Sequence, residues 1–403
     1  MKIAPKGERM NICVIGRMNV GKSTIINKLI GQEISIVSEQ PGTTTDPVAK
    51  RYELIPVGPV TIYDTAGYDD NTPLGKKRIK ASLKVIFKSD LAIVVLDDKG
   101  LFDIDIFYIK KLVELEIPYI MVWNKADICK IDKITSTFLS ERKSEIVYCS
   151  IEDNDLDPLK EEIISHVLML KSAEKYLLRD IINKNDLIVL VMPIDEAAPK
   201  GRIILPQVQV LREILDSNAI AICCTEKELA RTLKTLKKEP KLVITDSQVI
   251  EKVMKITPKK VFLTTFSTLF ARYKGDLNVL LSGTKLINDI KAEDKILIIE
   301  ACSHHTTDKD IGAVKIPGWI KKHLGFAPEI VKISGSDLPA DLETYKLAIH
   351  CGGCMLTRTE FIRRINECQR RGVAITNYGL LISEINGQLD RVVQIFNEQT
   401  RGK

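Results

Sequence analysis

The sequence contains no long hydrophobic run. None of its apolar stretches approaches the about 18 residues that a membrane-spanning helix requires, and we therefore expect no transmembrane segment. The N-terminus also lacks the apolar segment and cleavage site of a secretory signal peptide, because Met1–Arg9 leads directly into a strand-like segment. Together these two absences predict a cytoplasmic protein.

The cysteines lack the pattern of a disulfide-stabilised protein, because they are nine in number and irregularly spaced. An odd count without regular spacing is typical of a protein from a reducing compartment. Most of the cysteines that lie in or beside apolar stretches are expected to be small residues of the hydrophobic core. These are Cys13, Cys129, Cys149, Cys223, Cys224 and Cys368.

The sequence also has no basic stripe with interleaved aromatic residues, which would be typical of a nucleic-acid-binding protein. The formal charge is +6; residues 1–170 hold 23 basic and 25 acidic side chains, and residues 171–403 hold 36 and 28. The positive excess therefore lies after residue 170, where basic and acidic residues alternate. We interpret it as a solvated surface, which weighs against a nucleic-acid partner.

The sequence does contain a phosphate-binding loop near its N-terminus. The strand-like Asn11–Ile15 is followed by Gly16–Ser23, which fits the pattern GxxxxGK(S/T), and then by the helical Ile25–Leu29. In this order the backbone N–H groups and the helix N-terminus cradle phosphates, Lys22 reaches the β- and γ-phosphates, and Ser23 binds Mg²⁺. The predicted nucleotide-binding residues of this loop are Asn19, Val20, Gly21, Lys22, Ser23 and Thr24.

Two further motifs each follow a predicted buried strand. Val60–Tyr63 leads into Asp64–Gly67 (DTAG), the usual setting of a magnesium-linked carboxylate and a glycine that senses the γ-phosphate. Tyr119–Trp123 leads into Asn124–Asp127 (NKAD). The Asp127 carboxylate can accept hydrogen bonds from guanine N1–H and the exocyclic amine, a pair of donors that adenine lacks. The motifs therefore predict a guanine-nucleotide site.

These motifs resemble those of the translation-factor-related GTPases over about the first 170 residues. The resemblance implies GTP hydrolysis with Mg²⁺, and it makes Thr44 the magnesium ligand of switch I. Cys149-Ser150 stands where the family has a Ser-Ala loop that contacts the base, so this fifth motif departs from the pattern. By resemblance, the catalytic residues are Lys22, Thr44, Asp64 and Gly67, and the base readers are Asn124, Lys125, Asp127, Cys149 and Ser150.

Two residues refine the expected mechanism. Asn19 matches the asparagine that helps to hold K⁺ against the phosphates in potassium-activated relatives. Tyr68 follows the DTAG glycine at the position where Ras-like proteins have a water-orienting glutamine. A tyrosine cannot orient water in that way, so we expect slow turnover that K⁺ or a partner stimulates.

After Pro158, a predicted amphipathic helix from Leu159 to about Ile182 links the first domain to the rest. From Asp186 onward, strands and helices alternate, which predicts a parallel sheet. Residues 183–270 show no catalytic constellation. Because a domain with a core but no chemistry often serves assembly, we assign it to dimerisation and expect a homodimer.

Two groups of metal-ligating residues follow later strands. Cys302-Ser303-His304 comes after the predicted strand Lys295–Glu300, and His350-Cys351-Gly352-Gly353-Cys354 comes after Tyr345–Ile349. If these strands are parallel, both groups lie at one edge of the sheet, where open α/β sheets bind ligands. The CxxC step alone could be a redox pair, part of a zinc or iron–sulfur site, or two buried thiols. The capping-box pattern Thr357–Glu360 then predicts a helix over Phe361–Arg371.

The whole chain, with a GTPase domain, a middle α/β domain and the CxH…HCxxC pattern, resembles the [FeFe]-hydrogenase maturation GTPases (HydF family). The resemblance implies a [4Fe–4S] cluster on Cys302, Cys351 and Cys354, and a role in accepting a diiron precursor from radical-SAM maturases and delivering it to apo-hydrogenase. Candidates for the fourth iron ligand are His304, His350, Asp308 and Asp310.

The predicted fold class is therefore α/β with three domains. These are a P-loop GTPase domain (1–170), a parallel α/β dimerisation domain (171–272) and an α/β iron–sulfur cluster domain (273–403). Two alternatives remain at this point. One is a GTPase with a structural Cys₃His zinc site that acts in tRNA modification or ribosome assembly. The other is a GTP-dependent switch whose cysteines are merely buried.

Overall fold

The chain forms two compact units, Met1–Glu174 and Lys175–Lys403. The structure, a computed structural model, describes residues 7, 9–31, 47–67, 73–126, 135, 137, 146–149, 156–172, 175–194, 203–301, 311–335 and 337–401. No helix in these ranges is both long enough and apolar enough to span a membrane.

The first unit is built on a six-stranded sheet of order β2-β3-β1-β4-β5-β6, in which only β2 runs antiparallel to its neighbour. Its strands are β1 (Met10–Ile15), β2 (Val48–Leu54), β3 (Gly58–Asp64), β4 (Leu91–Leu96), β5 (Tyr119–Asn124) and β6 (Ile146–Cys149). Its helices are α1 (Lys22–Ile30), α2 (Pro73–Lys88), α3 (Asp103–Glu114) and α4 (Asp157–Ser172).

The sheet is buried on both faces, as its continuous hydrophobic strands predict. Along β1, Ile12 and Val14 belong to one hydrophobic cluster, whereas Cys13 and Ile15 belong to another. Successive side chains of a strand point to opposite faces, so these two clusters are the two layers that cover the sheet.

The second unit holds two four-stranded parallel sheets, of order β10-β9-β7-β8 and β12-β11-β13-β14. The first has the strands β7 (Leu187–Val191), β8 (Ile220–Cys224), β9 (Leu242–Thr245) and β10 (Phe262–Thr265), with the helices α5 (Leu205–Asp216), α6 (Leu229–Thr235), α7 (Ile250–Ile256) and α8 (Phe266–Lys274). The second has the strands β11 (Lys295–Glu300), β12 (Glu329–Ser334), β13 (Leu347–His350) and β14 (Ala374–Asn377), with the helices α9 (Leu277–Lys285), α10 (Ile316–Leu324), α11 (Arg358–Arg370), α12 (Tyr378–Ile385) and α13 (Leu389–Arg401). The predicted α/β class with parallel sheets after the first domain is confirmed.

The two sheets of this unit share one hydrophobic cluster, which includes Leu190 of β7 and Ile375 of β14. A hydrogen bond also joins the two halves of this unit, since Thr264 Oγ1 of β10 donates to the carbonyl of Val392 in α13 at 2.8 Å. The boundary predicted between residues 272 and 273 falls in the last turn of α8, inside this unit. The domain limits themselves stay a prediction.

The single helix expected from Leu159 to about Ile182 is wrong in its second half. The helix α4 ends at Ser172, and residues 177–181 form bends and turns. The carboxylate of Glu213 accepts hydrogen bonds from the amides of Leu177 and Leu178, at 3.2 and 2.8 Å. Those amides therefore bond to a side chain instead of continuing a helical ladder.

Candidate functional site

The predicted phosphate loop (Gly16–Ser23) connects β1 to α1. Lys22 is the first residue of α1, and its side chain is buried. Its Nζ donates to the carbonyls of Gly16 at 2.8 Å and Arg17 at 2.6 Å. The loop therefore wraps around its own ammonium group, which lies where the loop and the helix N-terminus meet.

Ser23 and Asp64 lie together, as a shared magnesium role requires. The strands β1 and β3 are parallel neighbours, with Val14 opposite Asp64. The Ser23 hydroxyl donates to Asp64 Oδ2 at 2.6 Å, and Thr65 Oγ1 anchors the end of β3 by donating to the Val14 carbonyl at 2.8 Å. A hydroxyl and a carboxylate on one spot are the oxygen donors that Mg²⁺ prefers.

Gly67 approaches the phosphate loop too closely for any side chain. A Cβ atom at this position would lie 2.6 Å from the Met18 backbone nitrogen and 2.4 Å from its Cγ. Glycine is thus required so that the DTAG segment can contact the loop. This contact is the geometry that a phosphate-sensing segment needs.

Asn124 ties the predicted guanine-reading segment to the phosphate loop. It is the last residue of β5 and is fully buried, and its Nδ2 donates to the Val20 carbonyl at 2.7 Å. Lys125 follows with a φ of 60°. The structure thus brings Asn124 beside the loop that Gly21, Lys22 and Ser23 belong to.

Other predicted nucleotide residues lie outside the described parts of the chain. These are Thr44, Tyr68, Asp127 and Ser150. Cys149 ends β6, beside Asn124 of β5, which is where a base-contacting loop would begin. Asn19 adopts a φ of 60°, a left-handed conformation in which asparagine is enriched. Local backbone conformation is therefore a second reason for the asparagine, besides the predicted K⁺.

Sequence reasoning missed a buried ion cluster behind the phosphate loop. Arg17 Nη2 lies 2.9 Å from Asp97 Oδ1, and its Nε lies 3.2 Å from Asp105 Oδ2. The guanidinium also stacks on the Phe102 ring, 4.1 Å from its centroid. Asp97 in turn lies 3.6 Å from Lys125 Nζ. The cluster links the phosphate loop to the guanine segment, and no motif spacing indicates a pairing across 80 residues.

In the second unit, β11 and β13 are parallel neighbours, as predicted, with Ile299 opposite His350. The Cys351 amide donates to the Ile299 carbonyl at 2.8 Å, and the Ala301 amide donates to Cys351 Sγ at 3.3 Å. The chain therefore passes beside Cys351 one residue before Cys302. The residues Cys302, His304, Asp308 and Asp310 lie outside the described parts of the chain.

Cys351 and Cys354 are half-buried and form no disulfide, and they lie in a tight turn that we call the cysteine loop (Cys351–Leu356). Gly353 has a φ of +62°, so a side chain there would be strained, whereas a Cβ at Gly352 would meet only open space. The Leu356 amide closes the turn by donating to the Gly353 carbonyl at 3.0 Å. Only one of the two glycines is thus required by the backbone.

The helix α11 begins soon after this loop. Thr357 is its N-cap, as predicted, and its side chain accepts from the Glu360 amide. The helix starts at Arg358, three residues earlier than the pattern indicated. The Glu360 carboxylate lies 3.3 Å from Arg364 Nη2.

His350 is fully buried, and both of its ring nitrogens have partners within the protein. Nδ1 donates to the Cys351 carbonyl at 2.7 Å, and Nε2 accepts from Arg364 Nη1 at 3.1 Å. The ring also packs edge-on against Phe361, with centroids 4.8 Å apart. Burial, reinforced by the Arg364 charge, lowers the pKa of His350 to about 3. The imidazole is therefore neutral and is held in one orientation.

The remaining described cysteines differ from one another. Cys13 and Cys368 are buried, as predicted, and burial, with the nearby Glu367 carboxylate, raises the pKa of Cys368 to about 12. Cys223, on the edge strand β8, is exposed, so it is not one of the core cysteines. Within the described ranges, no three histidine, cysteine or acidic side chains group closely enough to hold a metal ion.

Three family models match the chain, and they follow one another along it. The 50S ribosome-binding GTPase model matches residues 11–125, the hydrogen maturase F dimerization domain matches 177–275, and the hydrogen maturase F tetramerization domain matches 278–395. The chain belongs to the hydrogen maturase F family. The third model is named for tetramerization, whereas the sequence predicted a cluster-binding domain there and a homodimer.

Curated relatives of this hydrogen maturase F chain resemble its first part. The tRNA modification GTPase MnmE of Mycoplasma mycoides subsp. mycoides is 32% identical over 185 residues, which is 46% of this chain and 38% of the relative. GTPase Era of Caldicellulosiruptor saccharolyticus is 32% identical over 177 residues, 42% of this chain and 58% of the relative. The matched segment thus spans less than two thirds of either relative.

Solved structures that resemble the chain include the G domain of the T. maritima FeoB iron transporter, with 21% identity and a TM-score of 0.31, over 40% of this chain and 99% of that domain. Era from Aquifex aeolicus has 18% identity and a TM-score of 0.33, over 61% of this chain and 97% of Era. At these TM-scores the likeness carries no argument about function.

Proposed function

We propose that the protein is a GTP-hydrolysing scaffold of [FeFe]-hydrogenase maturation. It holds a [4Fe–4S] cluster, accepts a diiron precursor and transfers it to apo-hydrogenase. Membership of the hydrogen maturase F family supports this role. The observation that carries the cluster site is the hydrogen bond from the Ala301 amide to Cys351 Sγ, because it brings the segment that precedes Cys302 beside the cysteine loop.

The first unit supplies the nucleotide chemistry. Lys22 binds the β- and γ-phosphates, and Ser23, Asp64 and Thr44 hold Mg²⁺. The 2.6 Å contact between Ser23 and Asp64 supports this assignment. Asn124 and Asp127 select guanine. GTP does not perform the cluster chemistry; its state shifts domain arrangement or partner affinity by ordering the segments around Thr44 and Asp64.

Turnover is slow and stimulated by potassium, because Asn19 helps to hold K⁺ and Tyr68 cannot orient the attacking water. Phosphate release measured in KCl and in NaCl of equal ionic strength tests this. Faster turnover in KCl, lost in Asn19→Ala, is the expected result. Fast hydrolysis that is equal in both salts would contradict it.

Three thiolates, Cys302, Cys351 and Cys354, hold the cluster. The surroundings of Cys351 fit an iron–sulfur cluster, because the Ala301 amide donates to its sulfur, and backbone N–H donation to a ligating sulfur is one of the interactions that tune iron–sulfur sites. When bound, the cluster supplies an iron whose fourth ligand an incoming diiron unit can displace. Because both nitrogens of His350 already have partners, we assign it to positioning Cys351.

The fourth ligand is then His304, Asp308 or Asp310. A direct test is metal and sulfide analysis with EPR of the reduced protein after anaerobic reconstitution. About four irons and four sulfides per chain are expected in the wild type, with the cubane signal lost or altered in Cys351→Ala. Cys368→Ala is the matched control, because Cys368 is a buried thiol whose loss should leave the signal unchanged.

One tightly bound zinc and no cluster signal would overturn the scaffold role. The protein would then be a GTPase with a structural zinc site, as in the alternative of tRNA modification or ribosome assembly. Absence of any stoichiometric metal in the wild type would leave a nucleotide switch with buried thiols.

Self-assembly uses the edge strand β8, whose outer edge has no neighbour among the described strands. Ile220 is 52% exposed there, and an apolar open edge is a template for pairing with a second chain. Light scattering of Ile220→Lys should show a smaller oligomer than the wild type. The partners outside this assembly are the radical-SAM maturases and apo-hydrogenase, in the cytoplasm.

A further inference from the structure

Lys274 is a buried lysine that no predicted motif uses. It is the last residue of α8, and only 3% of it is exposed. Its Nζ donates to the carbonyls of Gly353 at 2.9 Å and Leu356 at 2.7 Å, with Cys354 at 3.4 Å. All three acceptors belong to the cysteine loop, 79 to 82 residues further along the chain.

The number of acceptors indicates the protonation state of this side chain. An ammonium group has three N–H donors, whereas a neutral amine has two. Three carbonyls converge on Nζ, so the charged form fits the site. Burying a charge is unfavourable unless hydrogen bonds replace its water, and here the loop carbonyls do so. The turn and the lysine are therefore complementary.

The end of α8 and the start of α11 hold the loop from two directions. Arg358, in the first turn of α11, donates from Nε to the Tyr273 carbonyl at 3.1 Å. Tyr273 is the neighbour of Lys274. The two basic side chains cross, because Lys274 reaches the loop before α11 while Arg358 reaches the last turn of α8. This crossing fixes where the loop lies on α8.

A second buried cation lies at the same edge of the sheet. Arg364 of α11 is fully buried and contacts His350 and Glu360, and its Nη2 donates to the Gly335 carbonyl at 3.0 Å. Two buried carboxylates lie near the segment that carries Cys351 and Cys354, and each is paired with a cation: Glu360 with Arg364, and Glu300 at the end of β11 with Lys332. The ammonium group of Lys274 adds a further positive charge there. A positive surplus favours a bound group that is negatively charged, as a thiolate-ligated cluster is.

We propose that Lys274 is a positioning residue of the cysteine loop. It fixes the loop carbonyls, which sets how Cys351 and Cys354 present their thiols, and it adds a positive charge beside the group that they bind. The charge effect rests on the proposed cluster, whereas the effect on the loop does not.

Hydrogen exchange of the metal-free protein tests the loop effect. Without Lys274, three loop carbonyls, two of them buried, lose a donor, so the amides of residues 351–357 should exchange roughly tenfold faster in Lys274→Met. The matched control is Lys241→Met, since Lys241 Nζ also donates to a backbone carbonyl, that of Ile181, at 2.9 Å. The control should exchange at wild-type rates in residues 351–357. Unchanged exchange in Lys274→Met would overturn the proposal.

Redox titration of the reconstituted protein, followed by EPR, tests the charge effect. Removing a nearby positive charge should move the midpoint potential of the cluster to a more negative value in Lys274→Met, with no shift in Lys241→Met. Lys274→Gln keeps two N–H donors without the charge, so it should show the same shift even if the Met variant fails to fold. Equal potentials in all variants would overturn the charge effect. If the wild type binds no iron, the proposed function fails, but hydrogen exchange still decides the loop effect.

Discussion

Two buried lysines in this protein each hold a glycine-containing loop at the carboxyl ends of parallel strands, and they do so in different ways. Lys22 belongs to the helix that its own loop leads into, and its acceptors are the carbonyls of Gly16 and Arg17. Lys274 reaches a loop that is distant in sequence, and its acceptors include the carbonyls of Gly353 and Leu356.

The surroundings of Lys22 and Lys274 also differ. Lys22 is adjacent in sequence to Ser23, which contacts Asp64 where a charged ligand is expected. The hydrogen bonds of Lys22 to the loop carbonyls can therefore be exchanged for hydrogen bonds to phosphate. The loop that Lys274 holds is supported further by Arg358 and by the pair His350–Arg364. We therefore expect substitutions in the first region to affect ligand chemistry, and substitutions in the second to affect structure as well.

The largest expected effect is that of Lys22→Ala on GTP turnover. Loss of a positioned positive charge on the transferred phosphate should lower the rate by about 10²–10³-fold, with little change in thermal stability. Phosphate release under saturating GTP is the measurement, and Lys28→Ala in the same helix is the control. Retained turnover would show that this lysine only supports its loop.

A smaller effect, on folding, is expected for Arg364→Met. Removing a buried cation leaves Glu360 and His350 without their partner, so the free energy of unfolding should fall by about 3 kcal/mol. Urea denaturation of the metal-free protein measures this, with Arg370→Met as the control because Arg370 is an exposed residue of the same helix. If the free energy of unfolding fell by the same small amount in both variants, the structure around the cysteine loop would not depend on Arg364, and the expected difference between the two regions would be contradicted.

Asn124→Ala tests the link between the guanine segment and the phosphate loop. The substitution removes the donor to the Val20 carbonyl, and we expect guanine-nucleotide affinity to fall by roughly tenfold. Titration with a fluorescent guanine nucleotide is the measurement. Asn27→Ala, on the outer side of α1, should bind like the wild type, and equal affinities in all three proteins would contradict the link.

The smallest effect is a pH dependence that Cys368 should produce. Its folded-state pKa is raised to about 12 from an ordinary value of 9.0, so the folded protein keeps a proton that the unfolded chain loses between these values. Stability should therefore be unaffected below pH 9 and fall above it, by at most about 1.4 kcal/mol per pH unit. Denaturation curves between pH 8 and 10 measure the slope, which Cys368→Ala should lack. Parallel curves for the two proteins would contradict the prediction.

The parts of the structure that sequence could predict are those that depend on neighbours along the chain. Strand β11 was predicted with its observed limits, and the contact of Ser23 with Asp64 follows from two short motifs. The Arg17–Asp97 and Lys274–Gly353 contacts were not predicted, because they join distant residues and follow no spacing rule.

The helix expected up to Ile182 fails for a related reason. The apolar residues of this segment, such as Leu178 and Ile181, are buried in the core without forming a helix. The carboxylate of Glu213, from a later helix, accepts hydrogen bonds from the amides of the turn. A side chain more than thirty residues away thus decides the local backbone. The spacing of apolar residues indicates which residues are buried, but it does not indicate which groups hydrogen-bond to the main chain.

The pairing of Ile299 with His350 has a consequence for how relatives of this protein can vary. The connection between β11 and β13, apart from the helix α10 and the strand β12 that lie in it, can be lengthened or shortened without moving Cys351, because the ladder between β11 and β13 places this residue. Slipping that ladder by a single residue would carry the thiol to the opposite face of the sheet. Insertions should therefore accumulate in the connection and be absent from the two strands.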